Sequence, residues 1–224
     1  MEHMTASPLT IRTFTSPVFG QNAYLASCEA TGETVAIDPG GAAAAMAAAL
    51  GEQGAELNAI LLTHAHMDHI EGVADLTARF QAPVHLHPAD LPLYDAATQQ
   101  AAMFGHRIQA PPPPDGELSH GQVVQLGSCR LEVRHAPGHS PGHVILYGPE
   151  AEVAFVGDVV FAGSIGRTDL PGGSFDQLMA SIREQVLTLP DETRLLPGHG
   201  PETTVQRERT TNPFIAPDHP GRHA

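Results

Sequence analysis

Apolar residues in this chain come mainly in short continuous runs, each stopped by glycine, proline or a polar cluster. Runs of that kind read as buried strands. Leu9 to Ser27 therefore holds short strands around a turn at 17–22, TVAIDPG is a strand that ends at Asp38, and LNAILLTH is a strand that stops abruptly in polar residues. PVHLH, GQVVQLG, RLEVRHA, HVILYG, EVAFVGD and RLLPGHG add further strands. Between them, Ala42 to Gln53 is nearly all alanine, the strongest helix former, with glycines at both ends. Ile70, Val73, Ala74, Leu76, Thr77 and Phe80 recur at helical spacing, and so do Leu178, Ile182, Val186 and Leu189 behind a predicted cap at Ser174. The stretch Pro88 to Asp115, with weak helical stretches followed by prolines at 111–114, reads as an irregular surface insertion that can form a rim over a site. Strands and helices interleave throughout, so the class is α/β or α+β.

Length and charge narrow this picture. The 224 residues fit one large domain, over 9–216, with flexible termini at 1–8 and 217–224. The net charge is -14, and all 11 cationic side chains are arginines scattered along the chain. Nucleic acid is excluded as a partner, because its binders need basic stripes, and an anionic membrane surface is excluded for the same reason. No apolar run approaches the ~20 residues of a membrane span, and MEHMTASPLT lacks the pattern of a signal peptide. The expected location is cytoplasmic. Cys28 and Cys129 lie in strand-like segments and are expected to be reduced, buried thiols. The oligomeric state is left open.

The 14 histidines outnumber all the arginines, and their placement is uneven. THAHMDH, at 63–69, follows an apolar strand and precedes a helix. In extended backbone, side chains two apart point the same way, so His64, His66 and Asp68 can converge where the strand ends, with His69 beside them. Three imidazoles and a carboxylate at this spacing suit a metal site better than a packed core. Polar residues also close other strands: His139 in APGHSPGH, Asp158 in AEVAFVGD and His199 in LLPGHG, each beside glycine. Singly, each of these is equally readable as a turn residue.

These motifs, with NAYL and AIDPG before them, resemble the binuclear metallo-β-lactamase-fold hydrolases over nearly the whole chain. The resemblance implies an αββα sandwich of two mixed β-sheets flanked by helices, with the site at their shared edge. It further implies His64, His66 and His139 on one divalent ion, Asp68, His69 and His199 on a second, and Asp158 bridging. Zinc or iron is expected, with manganese compatible with the same His and Asp ligands. FAGSIGRTDLPGG and PGHGPETTVQRERTTNPF narrow the resemblance to the short, single-domain branch of the glyoxalase II family, the hydroxyacylglutathione hydrolases. The sequence departs from classical members in two ways: they carry a helical glutathione-holding domain after the last ligand, whereas here 25 residues follow His199, and it contains no lysine to match their substrate-binding lysines.

The implied reaction is hydrolysis of a small-molecule substrate, a glutathione thioester of a 2-hydroxy acid, by a metal-bridging hydroxide. Asp68 and Asp158 are the expected catalytic carboxylates, with Asp68 both ligating and orienting the nucleophile. A thiolate, with a conjugate acid near pKa ~8.5, needs little help to depart. Arg167, Tyr24 and Phe104 are candidate substrate contacts, and Arg167 with Asp169 is equally readable as a loop-fixing ion pair. Asp38, Thr63, Ser140 and His143 are candidates to orient the ligands. A mononuclear iron persulfide dioxygenase, which shares the GRTD segment, is the rival reading. A lactonase and a non-catalytic metal-binding module are further alternatives.

Overall fold

A computed structural model of the chain describes residues 9–216, and the expected flexible termini, 1–8 and 217–224, lie outside the described residues. The first half builds β1 (Leu9–Thr15), β2 (Asn22–Cys28), β3 (Thr34–Ile37), α1 (Ala43–Gln53), β4 (Leu57–Leu61), α2 (Met67–Ile70), α3 (Val73–Phe80), β5 (Val84–Leu86), α4 (Leu91–Asp95), α5 (Ala97–Met103) and β6 (Gly116–Glu117). The second half builds β7 (Val123–Leu126), β8 (Cys129–His135), β9 (Val144–Gly148), β10 (Val153–Gly157), β11 (Val160–Phe161), β12 (Ser164–Ile165), α6 (Phe175–Ser181), β13 (Arg194–Pro197), β14 (Thr203–Thr204) and α7 (Val205–Thr211).

Two six-stranded mixed sheets result, in the orders β1-β2-β3-β4-β5-β6 and β14-β13-β10-β9-β8-β7, and β11 and β12 form a separate hairpin. The expected αββα sandwich is observed. Its layering explains why the central strands are apolar throughout. Ile60 on β4 faces outward to Met46 and Leu50 of α1 and Leu76 of α3, whereas the next residue, Leu61, enters the core between the sheets with Ile37, Leu131 and Phe155. On β10 the roles alternate in the same way: Phe155 points between the sheets, and Val156 points out to Leu178 and Ile182. A strand buried on both faces needs no polar side. The parallel pairs β3/β4 and β10/β13 therefore deliver the ends of four apolar strands to one edge.

Several expectations need correction. The helix read over 70–80 is two helices, because the backbone turns at Gly72, where any side chain would run into the Gly40 carbonyl and Ala43. The predicted helix behind Ser174 keeps its cap, with the Ser174 hydroxyl accepting from the Gln177 N–H, but beyond Ser181 it widens into a π-helical turn over Ile182–Val186. Residues 88–115 are more than surface insertion: α4 and α5 bury Tyr94, Ala97 and Ala101, and the Tyr94 hydroxyl donates to the Pro112 carbonyl at 2.8 Å. The weak helical stretches expected here are α4 and α5, and they carry too few large apolar residues for periodicity to show which face is buried. Cys28 and Cys129 are buried thiols as expected, yet they meet across the two sheets with their sulfurs 3.0 Å apart, a pairing their separation in sequence concealed. No helix among the described residues is long and apolar enough to cross a membrane.

Candidate metal centre and its cleft

The loops that leave β4, β8, β10 and β13 meet at the shared edge of the sheets. His64, His66 and His139 offer ring nitrogens that all lie within 4.8 Å of one another, and so do the donor atoms of Asp68, His69 and His199. Asp158 stands between the two triads. Its Oδ1 is 3.4 Å from His69 Nε2, and its Oδ2 is 3.4 Å from His139 Nε2 and 3.7 Å from His199 Nε2. His66 Nδ1 lies 2.8 Å from His139 Nε2, so two ring nitrogens are aimed at one point.

The surrounding hydrogen bonds fix which nitrogens face inward. His69 donates from Nδ1 to Asp38 Oδ2 at 2.9 Å, and His139 donates from Nδ1 to the Arg167 carbonyl at 2.8 Å. Thr63 Oγ1 donates to Asp38 Oδ2 at 2.6 Å, which leaves its lone pairs to accept from His64 Nδ1 at 3.1 Å. In each of these rings the Nδ1 partner holds a proton there and turns Nε2 to the centre, where a cation would take its lone pair. His64 Nε2, His69 Nε2 and Asp158 Oδ1 are buried there without a hydrogen-bond partner. Three orphaned buried acceptors or donors converging on one place are costly, and divalent cations satisfy such a set. The donor chemistry, imidazole and carboxylate without thiolate, fits zinc or iron.

Asp38, in a left-handed conformation at φ 47°, accepts from the Thr63 backbone N–H as well as from Thr63 Oγ1 and His69. It therefore ties the end of β3 to the start of the histidine loop. His143 accepts the Asp158 backbone N–H on Nε2 at 3.0 Å and stacks on His64 with ring centroids 4.7 Å apart. Gly198 is required by close approach, since a side chain there would strike Asp158 Oδ1 and the His69 ring. Ser140 does not touch either triad. It donates to Asp90 Oδ2 at 2.8 Å, and Asp90 also accepts from the backbone N–H groups of Ala65 at 3.0 Å and Gly142 at 2.5 Å.

Asp90 is the main residue that sequence reasoning missed. Fully buried, it joins the loop of His64 and His66 to the loop of His139. In sequence it reads only as one more acid in a turn, because its partners lie 25 and about fifty residues away.

Of the three proposed substrate contacts, two face the cleft. The cavity, about 400 Å³, has His66, Asp68, His139, Asp158 and His199 along its floor and is lined further by Arg167 and Phe104. The Arg167 guanidinium pairs with Asp169 through two hydrogen bonds of 2.6 and 2.7 Å on the exposed rim, so the loop-fixing reading of this pair describes what the side chain does, while its carbonyl orients His139. Tyr24 is a correction. It is buried between the sheets, edge-on to Phe155, and its hydroxyl donates to the Pro197 carbonyl at 2.6 Å. Together with Asn22, whose side chain donates to the carbonyls of Pro197 and Gly200, it holds the loop that carries His199. A tyrosine at an inward position of β2 cannot also reach the cleft.

Burial and mutual charge divide the imidazoles into two sets. Burial, followed by the neighbouring His69 and His143, pushes His64 well below the ordinary histidine range; burial with His139 takes His66 down to about 3; and His143 is lowered in the same way. Burial also opposes charge on His69 and His199, but Asp158 and Asp68 outweigh it and raise both. Asp158 and Asp68 are lowered in return, their burial overcome chiefly by His69.

A pH dependence follows for the metal-free protein. Near pH 5 the unfolded chain binds protons on His64, His66 and His143 that the folded chain refuses, whereas toward pH 7 the folded chain keeps protons on His69 and His199 that the unfolded chain loses, a smaller effect of opposite sign. Stability is therefore present above the ordinary histidine pKa and falls as pH drops below it, with a limiting slope of about 1.4 kcal/mol per pH unit for each ring that stays neutral in the folded chain. Urea midpoints from pH 7 to 5 should fall accordingly; a flat profile would show that these rings are not buried neutral.

Comparison with known proteins now decides the family. Residues 16–199 match the sequence profile of the Metallo-beta-lactamase superfamily. The chain belongs to this superfamily. It is 38% identical over 181 residues to the hydroxyacylglutathione hydrolase GloC of Haemophilus influenzae, covering 80% of this chain and 85% of that one. Among solved structures, it is similar to the BLEG-1 B3 metallo-beta-lactamase, with TM-score 0.86, 38% identity and coverage of 92% of this chain and all of that one. It is also similar to TTHA1623 in a di-iron-bound form, with TM-score 0.84, 45% identity and coverage of 91% and 100%.

Proposed function

We propose that this member of the superfamily is a binuclear metal-dependent thioester hydrolase of the hydroxyacylglutathione type. The observation that carries the proposal is the convergence of seven His and Asp side chains, three of their inward atoms orphaned, at and beneath the floor of a cleft that offers no separate acid. Apart from those residues, Arg167 is the one titratable side chain among the described residues lining the cleft. An amide would need a proton donor for its leaving amine, whereas a thiolate departs unaided.

In this reading His64, His66 and His139 would hold one ion and Asp68, His69 and His199 the other, with Asp158 placed between the two sets. Two such ions supply Lewis acidity, acidifying water and polarising the carbonyl under attack. The chain's own residues do the positioning. Asp68, half-buried at the mouth of the site with Oδ2 3.1 Å from His199 Nε2, orients the attacking water and takes up its proton. Asp38, Thr63 and the Arg167 carbonyl keep the imidazoles in the tautomer that binds metal, and His143 fixes the backbone of Asp158. The GloC relative supports glutathione as the thiol, and the di-iron neighbour supports two ions.

Purified protein should hydrolyse S-lactoylglutathione, lose that activity on treatment with a chelator, and regain it with zinc or iron(II). Absence of metal-dependent turnover would overturn the proposal. One iron per chain, with oxygen consumed on a glutathione persulfide, would establish the dioxygenase reading in its place.

A further inference from the structure

The walls of the cleft differ from its floor. Phe19, Leu93, Met103, Phe104, Phe161 and Leu170 line them, all with apolar side chains. Gln100, the polar residue of this wall, spends its amide N–H groups on the carbonyls of Ala65 and Leu93, at 3.0 and 2.6 Å. Met103 and Phe104, at the end of α5, are 81% and 60% exposed. Large apolar side chains left open to solvent beside a polar reaction centre mark a surface that a ligand covers.

The charge balance says which part of a thioester covers it. A glutathione-like thiol carries carboxylates that need cationic partners, and the cleft's one guanidinium, Arg167, is already engaged by Asp169. We infer that the wall around Met103 and Phe104 binds the acyl half of the substrate, and that this half is an apolar aliphatic chain longer than that of a lactoyl group. The inference rests on the thioester-hydrolase reading and puts an alkanoyl chain in place of the 2-hydroxyacyl group as the preferred acyl half. Water adds across the C–S bond, the thiol leaves toward solvent, and the fatty carboxylate is released with a proton.

The placement is productive because the wall is tied to the metal loop. The Gln100 side chain hydrogen-bonds the carbonyl of Ala65, which lies between His64 and His66. Contact of the chain with Leu93, Met103 and Phe104 therefore holds the carbonyl over the floor, so apolar binding is converted into orientation.

The test is a series of acetyl, butyryl, hexanoyl and octanoyl thioesters of glutathione, with S-lactoylglutathione alongside, on metal-loaded protein. The expected result is a rise in kcat/KM of about two- to four-fold per methylene, a clear preference for hexanoyl over lactoyl, and a flattened series in the double variant Met103→Ala, Phe104→Ala. A flat series, or a preference for lactoyl, would overturn the inference while leaving the hydrolase reading intact. Calorimetry with S-methyl- and S-hexylglutathione, thioethers that cannot be hydrolysed, gives a readout independent of turnover. S-hexylglutathione should bind at least tenfold more tightly, and equal affinities would again overturn the inference. If no thioester is turned over, the hydrolase reading fails, and the thioether pair still decides whether this wall takes an alkyl chain.

Discussion

Replacing Asp158 by alanine is expected to lower thioester turnover by on the order of 10³-fold or more, the scale of removing a principal transition-state stabilising group. Asp158 is the carboxylate within 3.4 Å of His69 on one side and His139 on the other, so its loss leaves two triads with nothing shared. Metal content should fall with it, from two ions per chain to one or none, measured by elemental analysis after dialysis. The fold should survive. Asp158 sits at the edge of the sandwich, and its backbone N–H would still donate to His143. A variant that retains both ions and full rate would refute the bridging assignment.

The second large effect is expected at a residue that touches neither triad. Asp90→Ala would leave the N–H groups of Ala65 and Gly142 and the hydroxyl of Ser140 buried without an acceptor. At about 1–3 kcal/mol for each orphaned donor, partly relieved by relaxation, the loss should reach about 3 kcal/mol or more. Asn at the same place keeps the volume but turns donors toward donors, so Asp90→Asn should also be destabilised. Both are read from urea unfolding. Because Asp90 couples the loop of His64 and His66 to that of His139, metal affinity in Asp90→Asn should fall by about 10- to 100-fold, as for other residues that orient ligands. A change in stability below about 1 kcal/mol would show that the carboxylate is not the clamp between these loops.

How much was legible beforehand depended on whether the signal was local. THAHMDH, PGHSPGH, VGD and PGHG could be read because each packs its polar residues at the end of an apolar run, and strand ends are where an α/β sandwich collects its chemistry. His143 was legible as the second histidine of PGHSPGH, although its hydrogen bond to the Asp158 backbone was not. Asp90 carried no such signal, nor did the meeting of Cys28 with Cys129, whose partners are about a hundred residues apart in the chain. Tyr24 was misassigned because sequence shows that a tyrosine is available but not which face of β2 carries it. The region from Pro88 to Asp115 was legible as a rim that carries Phe104, but its anchor, Tyr94, was hidden among alanines and prolines, which bury little area and set no period.

By itself, the sequence determined the class of the fold, the succession of its longer strands along the chain and the set of imidazoles and carboxylates at their ends. Those follow from burial and residue type, which act over a few neighbours at a time. The tertiary structure alone decided that His64, His69 and His139 turn Nε2 inward, that Asp90 clamps two loops, and that the cleft is apolar above a polar floor. Each of these depends on distances between segments far apart in the chain, and such distances are set only when both sheets close on their common core.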